Sequence, residues 1–572
     1  MDGSDKMLRA PMNRDESTGR APAPSAGPPP ATLGAASVRR PSPGRLYWRT
    51  GEPFVWLTGA ALTVTLLIAA ALLLVVMVNG LGVFWPAQVA VLEMRDGGRI
   101  MGEINQRIPL ADGAGERLQL KIGNRDLYPL DFRWVDAAGV ARIVHPKRAM
   151  VLERTEYGNF YGFLQRVQGP ELAGDDPRQR LAAAWPLVAE KKEEMAALDE
   201  RLVALGNRME RLRLKALGET LAKDGAETPR RQELYRQAAA VRSDFDHLLA
   251  AQEARAADLR RYTATFADAA GAEKTLPLAE IVRYWQPNAM SFGAKVWHYV
   301  GKLKELLVGE PRESNTEGGL FPAIFGTVML IFLMSLFTFP LGVIAAIYLR
   351  EYAKDGLVVR LVRIAVNNLA GIPSIVYGIF GLGFFVYGIG SGIDRMFFPE
   401  RLPSPTFGTG GILWASLTLA LLTVPVVIVA TEEALGAIPA GVREGSLSLG
   451  ATKFQTLTRI LLPMASPGIM TGLILAMARA AGEVAPLMIT GVVKLAPSLP
   501  IDGSFPFLHL DRKFMHLGFH IYDIGFQSPN VEAAKPMVFV TTLLLVLIVL
   551  IMSSVAIHLR NKMKKRYTYG TF

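Results

Sequence analysis

Arg479 and Glu483 lie four residues apart inside ARAAGEVAPL, a stretch within one of the most apolar parts of the chain. On a continuous helix that spacing places both side chains on one face, one turn apart and near enough to pair. Charges at membrane depth cost several kcal/mol and usually face a bundle interior or an aqueous pathway. A guanidinium offers a planar fork of donors to an oxyanion, and a neighbouring carboxylate partly neutralises it while the site is empty. The residue types therefore point to an anion site, with a neutralised pair that merely holds helices together as the competing reading. Helix breakers bear on such a site: Pro373 with Ser374 in another apolar segment, and Pro486 in this one. They could expose backbone groups or the Ser374 hydroxyl to an anion, or they could be ordinary kinks satisfied by neighbouring helices. Ser374 is therefore a candidate of second rank.

The elements that must position these residues are membrane spans. The chain has 572 residues, half of them hydrophobic, and a positive mean hydropathy, which is more apolar than soluble proteins of this size tolerate. Six segments reach the roughly 20 apolar residues that a crossing needs: 54–83, 319–349, 364–393, 407–431, 460–492 and 536–559. The first carries no charge between Glu52 and Glu93, and its position behind a long tail suits a retained anchor better than a signal peptide. Basic residues cluster before the first span (Arg39, Arg40, Arg45, Arg49), between the second and third (Arg350, Lys354, Arg360, Arg363), and after the last (Arg560, Lys562, Lys564, Lys565, Arg566). Six crossings put all three clusters on one side. The positive-inside rule makes that side, with both termini, cytoplasmic in a bacterial-type inner membrane. The net charge of +11 is thus explained by membrane topology, with lipid and not nucleic acid as its partner.

Outside the spans, residues 1–45 are rich in Pro, Ala, Gly and Ser and cannot bury a core, so a disordered cytoplasmic tail is expected there, with a second tail at 560–572. Between the first two spans lies an insertion of over 200 residues. Its first part, 86–168, alternates as strands do, with a turn at Asp96–Gly98. The period then changes. Met195, Leu198, Leu202, Leu205, Met209 and Leu212 form one helical seam, and Leu234, Val241, Phe245, Leu248 and Leu259 a weaker one. A breaker at Asp224–Pro229 suggests an antiparallel hairpin over 177–265, roughly 50 Å long at the helical rise. Residues 266–318 read as a connector, and 319–559 as the membrane core with a loop at 432–463. The expected class is a mainly α membrane protein with six transmembrane helices and an outer insertion that holds a small β domain and a helical hairpin.

That loop carries the first specific motif. In REGSLSLGATKFQTLTRILLP, Glu444, Gly450, Ile460, Leu462 and Pro463 stand at the spacing of the EAA loop of ABC importer permeases, with Gly445 and Ser446 in place of the usual two alanines. The stretch ARAAGEVAPLMITG resembles the R-A-x-G-E-x-A-P-L segment of the PstA-type permease of bacterial phosphate ABC importers, with Val484 where threonine is common. The resemblance continues through GGLFPAIFGTVML, GIPSIVYGIFGL (Gly371–Leu382) and TVPVVIVATEEALGAIPAG, and covers 319–492 best. It implies the importer-permease fold and a pathway enclosed with a second, PstC-type permease. It further implies a PstB-type ATPase dimer that docks on Glu444, Gly445, Ser446 and Gly450, and a PstS-type binding protein that delivers phosphate from outside. Arg479 and Glu483, with Ser374 behind them, would then lie on the phosphate pathway.

Several classes are excluded or weakened. No stretch fits the phosphate-cradling G-x-x-x-x-G-K-[ST] loop, so ATP is expected to be hydrolysed by a partner, and the chain holds no cofactor of its own. No nucleophile with a nearby base appears, which argues against an enzyme. With no cysteine, thiolate chemistry is absent. His509, His516 and His520 are expected on a partly exposed outer loop, without the acidic ligand that a metal site would require. A permease for another small oxyanion and a membrane signalling or scaffold component of a phosphate-sensing complex remain as alternatives.

Overall fold

In the computed structural model, the described residues are 48 and 50–567, apart from 111–114, 223–226, 504 and 529. The expected tail at 1–45, the basic cluster before the first span, the first half of the hairpin breaker and the last residues of the expected tail at 560–572 lie outside them. The chain divides into two units, 1–71 and 72–572.

The first unit carries the start of α1 (Glu52–Gly82), where the Trp48 ring meets the Phe54 ring edge-on. Apolar residues occupy every side of this helix, and its side chains from Leu57 to Leu67 are exposed. A helix with no polar face is suited to lipid on all sides.

In the second unit, twelve short and long strands follow among the described residues. The first five are β1 (Val89–Met94), β2 (Arg99–Pro109), β3 (Glu116–Lys121), β4 (Phe132–Asp136) and β5 (Val140–Val144), which form an antiparallel sheet in the order β4-β3-β2-β1-β5. Strand β1 is buried on both faces. Val89 and Val91 join one core with Met101, Val151 and Tyr161, while Ala90 and Leu92 join another with Leu118, Leu120 and Val135. A second sheet runs β10-β6-β7-β8-β9, with β6 (Met150–Arg154), β7 (Phe160–Gln168), β8 (Thr263–Ala267), β9 (Glu273–Pro277) and β10 (Ile281–Trp285). Strands β11 (Pro311–Arg312) and β12 (Glu317–Gly318) form a small ribbon.

Between β7 and β8, which are paired neighbours, rise α2 (Pro177–Ala222) and α3 (Pro229–Leu259). Thr228 caps α3 by accepting from the Arg231 amide. The base of the hairpin seals the second sheet, with Leu181, Ala184, Val188 and Leu259 against Phe160, Tyr262 and Phe266. The far half of α2 lies beside the turn at Pro399–Arg401, where Gly218 faces the Glu400 side chain. The β region therefore extends beyond 168, because β8 straddles the end of the segment read as the hairpin and the segment read as a connector supplies β9 and β10. The helical hairpin is an insertion within that β region.

After α4 (Phe292–Val308) the chain enters the membrane bundle: α5 (Phe321–Ile347), α6 (Leu357–Leu369), α7 (Ser374–Phe380), α8 (Ser391–Phe397), α9 (Ile412–Gly436), α10 (Ala440–Ser448), α11 (Lys453–Thr456), α12 (Leu462–Gly482), α13 (Ala485–Thr490), α14 (Leu517–Tyr522) and α15 (Val531–Tyr567). Among the described residues six helices are long and apolar enough to span a membrane: Phe54–Gly82, Phe321–Tyr352, Ser374–Phe397, Ile412–Gly436, Lys453–Gly482 and Val531–Lys565. The third begins ten residues later than expected, because Pro373 removes an amide donor and separates amphipathic α6 from α7.

Helix α9 is the buried centre of the bundle. Its Ser416, Thr418 and Thr423 hydroxyls donate to carbonyls one turn back, which leaves few unsatisfied polar groups in an apolar setting. Gly468 and Gly472 of α12 face Ala434 and Ala430 of α9 so closely that an added Cβ would stand 2.5 and 2.6 Å from their methyls. Paired small residues at four-residue spacing let two membrane helices approach backbone to backbone.

Candidate functional site

The segment expected as span five, 460–492, is not one continuous helix, because the spanning helix ends at Gly482. Arg479 occupies the last turn of α12, but Glu483 has left it with extended backbone (φ −80, ψ 131), and its amide donates to the Ala480 carbonyl. Val484 follows, then Pro486 opens the short α13. The interruption lies where Gly482 lowers helix propensity and Pro486 removes a donor. Sequence spacing placed both charges on one helix face; the structure places Glu483 just past the helix end.

The charges still meet. Arg479 Nε lies 3.6 Å from Glu483 Oε1, and the side chains are 35% and 20% exposed. That Nε is buried and has no hydrogen-bond partner among the described residues. A cation in the last turn is also favourable to the helix dipole. The guanidinium is thus held by charge at a helix break, with donor capacity left over.

Neighbouring α7 closes on this break. Gly378 approaches Pro486 so tightly that a Cβ would lie 2.8 Å from its Cα. Buried Tyr377 donates from its hydroxyl to the Leu369 carbonyl at 2.7 Å, closing the turn ahead of Pro373. Half-buried Ser374 opens α7 one turn before this contact. The structure thus brings Ser374 to an adjoining element, although no hydrogen bond joins it to Arg479 or Glu483 among the described residues.

The loop bearing the EAA-like spacing folds as α10, a left-handed turn at Gly450 (φ +86) and α11, capped by reciprocal bonds between Thr452 and Gln455. Glycine fits that turn because other residues strain at positive φ. Arg443 fixes the angle of α10. It pairs with Glu351 at 2.9 Å and donates to the Leu435 and Ile438 carbonyls at the end of α9. Glu444 and Gly445 face outward, whereas Ser446 is buried and its hydroxyl bonds Thr456 at 2.8 Å. Leu449 is 90% exposed, and Leu447 and Phe454 are exposed beside it. Sequence reasoning missed Arg443 and Glu351, which anchor the loop. An arginine just past a span was the available signal for them.

Across the bundle from this loop, buried Asp394 accepts from the Phe407 and Gly408 amides and pins the segment after span three. His516 and His520 are buried rather than partly exposed. The first accepts from the Gly518 amide, and the second meets the Asn315 carbonyl and the Thr541 hydroxyl. Burial holds the His516 ring down to about 4. His520 is also held down to about 4, mainly by burial, with the Asn315 carbonyl and Asp523 acting the other way. Asp523 pairs with Lys494 at 3.0 Å. Among the described residues no group of three or more His, Cys, Asp or Glu side chains is arranged to hold a metal.

Residues 338–565 match the family described as binding-protein-dependent transport system inner membrane component. The chain is 32% identical over 223 residues to the probable ABC transporter permease protein YqgI of Bacillus subtilis, covering 38% of this chain and 70% of that one. It is 34% identical over 221 residues to the probable phosphate transport system permease protein PstA of Methanocaldococcus jannaschii, covering 38% and 67%. With the phosphate transport system permease protein PstA of Yersinia pestis it shares 37% over 182 residues, covering 32% and 56%. All three matches are to transport permeases, and the family match takes in four of the six spans in full, the α10 loop and the Arg479–Glu483 break. The chain belongs to the inner membrane permease components of binding-protein-dependent ABC transport systems.

Proposed function

We propose that the chain is the PstA-type permease of a phosphate importer and that inorganic phosphate passes Arg479 on its way across the membrane. The observation that carries this reading is a guanidinium with an unpartnered donor at a helix break, in a chain whose relatives include proteins named as phosphate permeases. Broken helices in membranes are tolerated where they line a cavity or are buried in protein, and they recur at transporter binding sites. Arg479 supplies charge and donors to the anion. Glu483 tempers that charge in the empty site and accepts a hydrogen bond from protonated phosphate, which fully ionised sulfate cannot donate. Ser374, at the start of α7, adds a hydroxyl from the facing element.

The rest of the assembly follows from the same reading. A PstC-type permease completes the pathway, and a PstS-type binding protein delivers phosphate on the side of the large insertion. A PstB-type dimer hydrolyses ATP and docks against α10 through Glu444, Gly445 and the exposed Leu449 and Phe454, while Gly450 and Ser446 keep the loop in shape. Both termini lie on the ATPase side. The test is transport by the assembled complex in proteoliposomes, with labelled phosphate and with sulfate as competitor. Uptake that requires ATP and the binding protein and resists excess sulfate supports the proposal. Equal uptake of sulfate would make the substrate class broader, and ATP-independent binding without uptake would favour a signalling role.

A further inference from the structure

Helix α4 is amphipathic in the inverted sense. Its charged side turns toward the protein: Lys302 pairs with buried Glu153 at 2.5 Å, and Glu305 pairs with Arg283 at 2.8 Å and Arg312 at 2.7 Å. The His298 ring lies against Trp285, 4.7 Å between centroids. The opposite side is apolar and open. Trp297 is 80% exposed and Phe292 74%, with Val296, Val300, Leu307 and Val308 also exposed along the same face. Such a surface is costly in water, since it leaves large apolar side chains wet while burying ions.

The position of the helix says what covers it. Trp85, three residues beyond the first membrane helix, rests against Phe292 and Tyr299, with ring centroids 5.8 and 6.2 Å away. Leu306, on the inner side, shares a core with Leu320 at the entrance of α5 and with Met537, Val540 and Leu544 of α15. The helix is therefore seated where spans leave the membrane, and its apolar face continues their lipid-facing surface. Trp and Tyr concentrate at that depth in membrane proteins, and exposed Lys304 can extend toward headgroups.

We infer that α4 lies in the headgroup region of the outer leaflet and inserts Phe292, Trp297 and Val300 among the upper acyl carbons. A lipid surface accepts a flat helical face of this kind. In this position α4 anchors the β region and the hairpin to the bilayer at a fixed height. The inference rests on the membrane family and holds whether or not phosphate is the substrate.

The chain has no cysteine, so single probes can be placed cleanly. An environment-sensitive fluorophore on Trp297→Cys, on Val300→Cys and, as the aqueous reference, on Ala250→Cys of α3 would be examined in the assembled transporter in phosphatidylethanolamine/phosphatidylglycerol nanodiscs. Quenching would be compared between aqueous iodide and lipids carrying a nitroxide just below the headgroup. The expected result is severalfold stronger lipid quenching at 297 and 300 than at 250, with iodide showing the reverse order. Iodide quenching at 297 and 300 equal to that at 250 would overturn the inference, as would protection from both quenchers, which would mean that protein covers the face. Because Val300 is smaller than Trp297, its variant keeps the test valid if the tryptophan is needed for folding.

Discussion

Arg479 Nε and Glu483 Oε1 stand 3.6 Å apart across the end of α12, close enough to attract and too far for a well-formed direct hydrogen bond. The break at Glu483 creates this geometry. On an uninterrupted helix the two side chains could close into a self-satisfied pair with little left for an anion. Extended backbone at Glu483 instead separates the carboxylate from the helix face and leaves Nε without a partner.

Selectivity should respond to Glu483. In Glu483→Gln the amide can donate as well as accept, so a fully ionised anion is no longer opposed by an acceptor-only group. Phosphate uptake should persist while the potency of sulfate as a competitor rises by about tenfold, the size of one charge-assisted hydrogen bond. Competition curves in proteoliposomes measure this, and unchanged sulfate potency would remove Glu483 from the selectivity argument.

The α10 loop offers a separation of roles. Ser446 is turned inward onto Thr456, so Ser446→Ala leaves a buried hydroxyl unpaired at a cost of about 1–3 kcal/mol. Its effect should appear as a lower melting temperature of the permease, and Ser446→Ala with Thr456→Val should recover part of the loss. Exposed Glu444 should behave oppositely: Glu444→Ala keeps the melting temperature and lowers recovery of the ATPase subunit on co-purification.

Close approach of α9 and α12 depends on missing atoms. Gly472→Leu would drive a side chain into Ala430, and overpacking of this kind costs about 1–3 kcal/mol. We expect a lower midpoint in detergent thermal melts. Gly441→Ala, at an exposed site where an added Cβ meets nothing within 4 Å, should not lower the midpoint.

Much of this architecture was legible in the sequence, for reasons that the structure makes plain. Long apolar runs mark the spans because nothing else in the chain is uniformly apolar for that length, and the seam from Met195 to Leu212 marks the hairpin because the helical period is local. The join between β7 and β8 was hidden, since the paired strands stand on either side of an inserted hairpin and β8 to β10 have five residues each. Arg479 and Glu483 were readable as a pair. The break between them was not, because i,i+4 reasoning assumes a continuous helix, and Gly482 and Pro486 were its only local signs. His516 and His520 looked like loop residues. Both are buried, and His520 is held there by Asn315 and Thr541, about 200 residues before and 20 after.

Those histidines make their end of the bundle acid-sensitive. Burial holds both near 4, below the ordinary value of 6.5, so between these values the unfolded chain binds more protons than the folded one. Their contribution to stability is fully present above about pH 6.5 and is lost as pH falls toward 4, approaching roughly 3 kcal/mol per group. Thermal melts from pH 7.5 to 4.5 should show a steep loss in wild type and a shallower one in His516→Gln. Equal slopes would place the sensitivity elsewhere.

The most direct test of the central claim is phosphate uptake by cells that lack their own high-affinity system and express this chain with its partner subunits. Wild type would be compared with Arg479→Ala and Arg479→Lys at matched membrane levels. The account predicts loss of uptake in the alanine variant, poor rescue by lysine because a point charge cannot reproduce the guanidinium fork, and intact assembly with the ATPase in both. Normal uptake in both variants would contradict it, reducing the pair to a structural contact and moving the anion's path away from the break in span five.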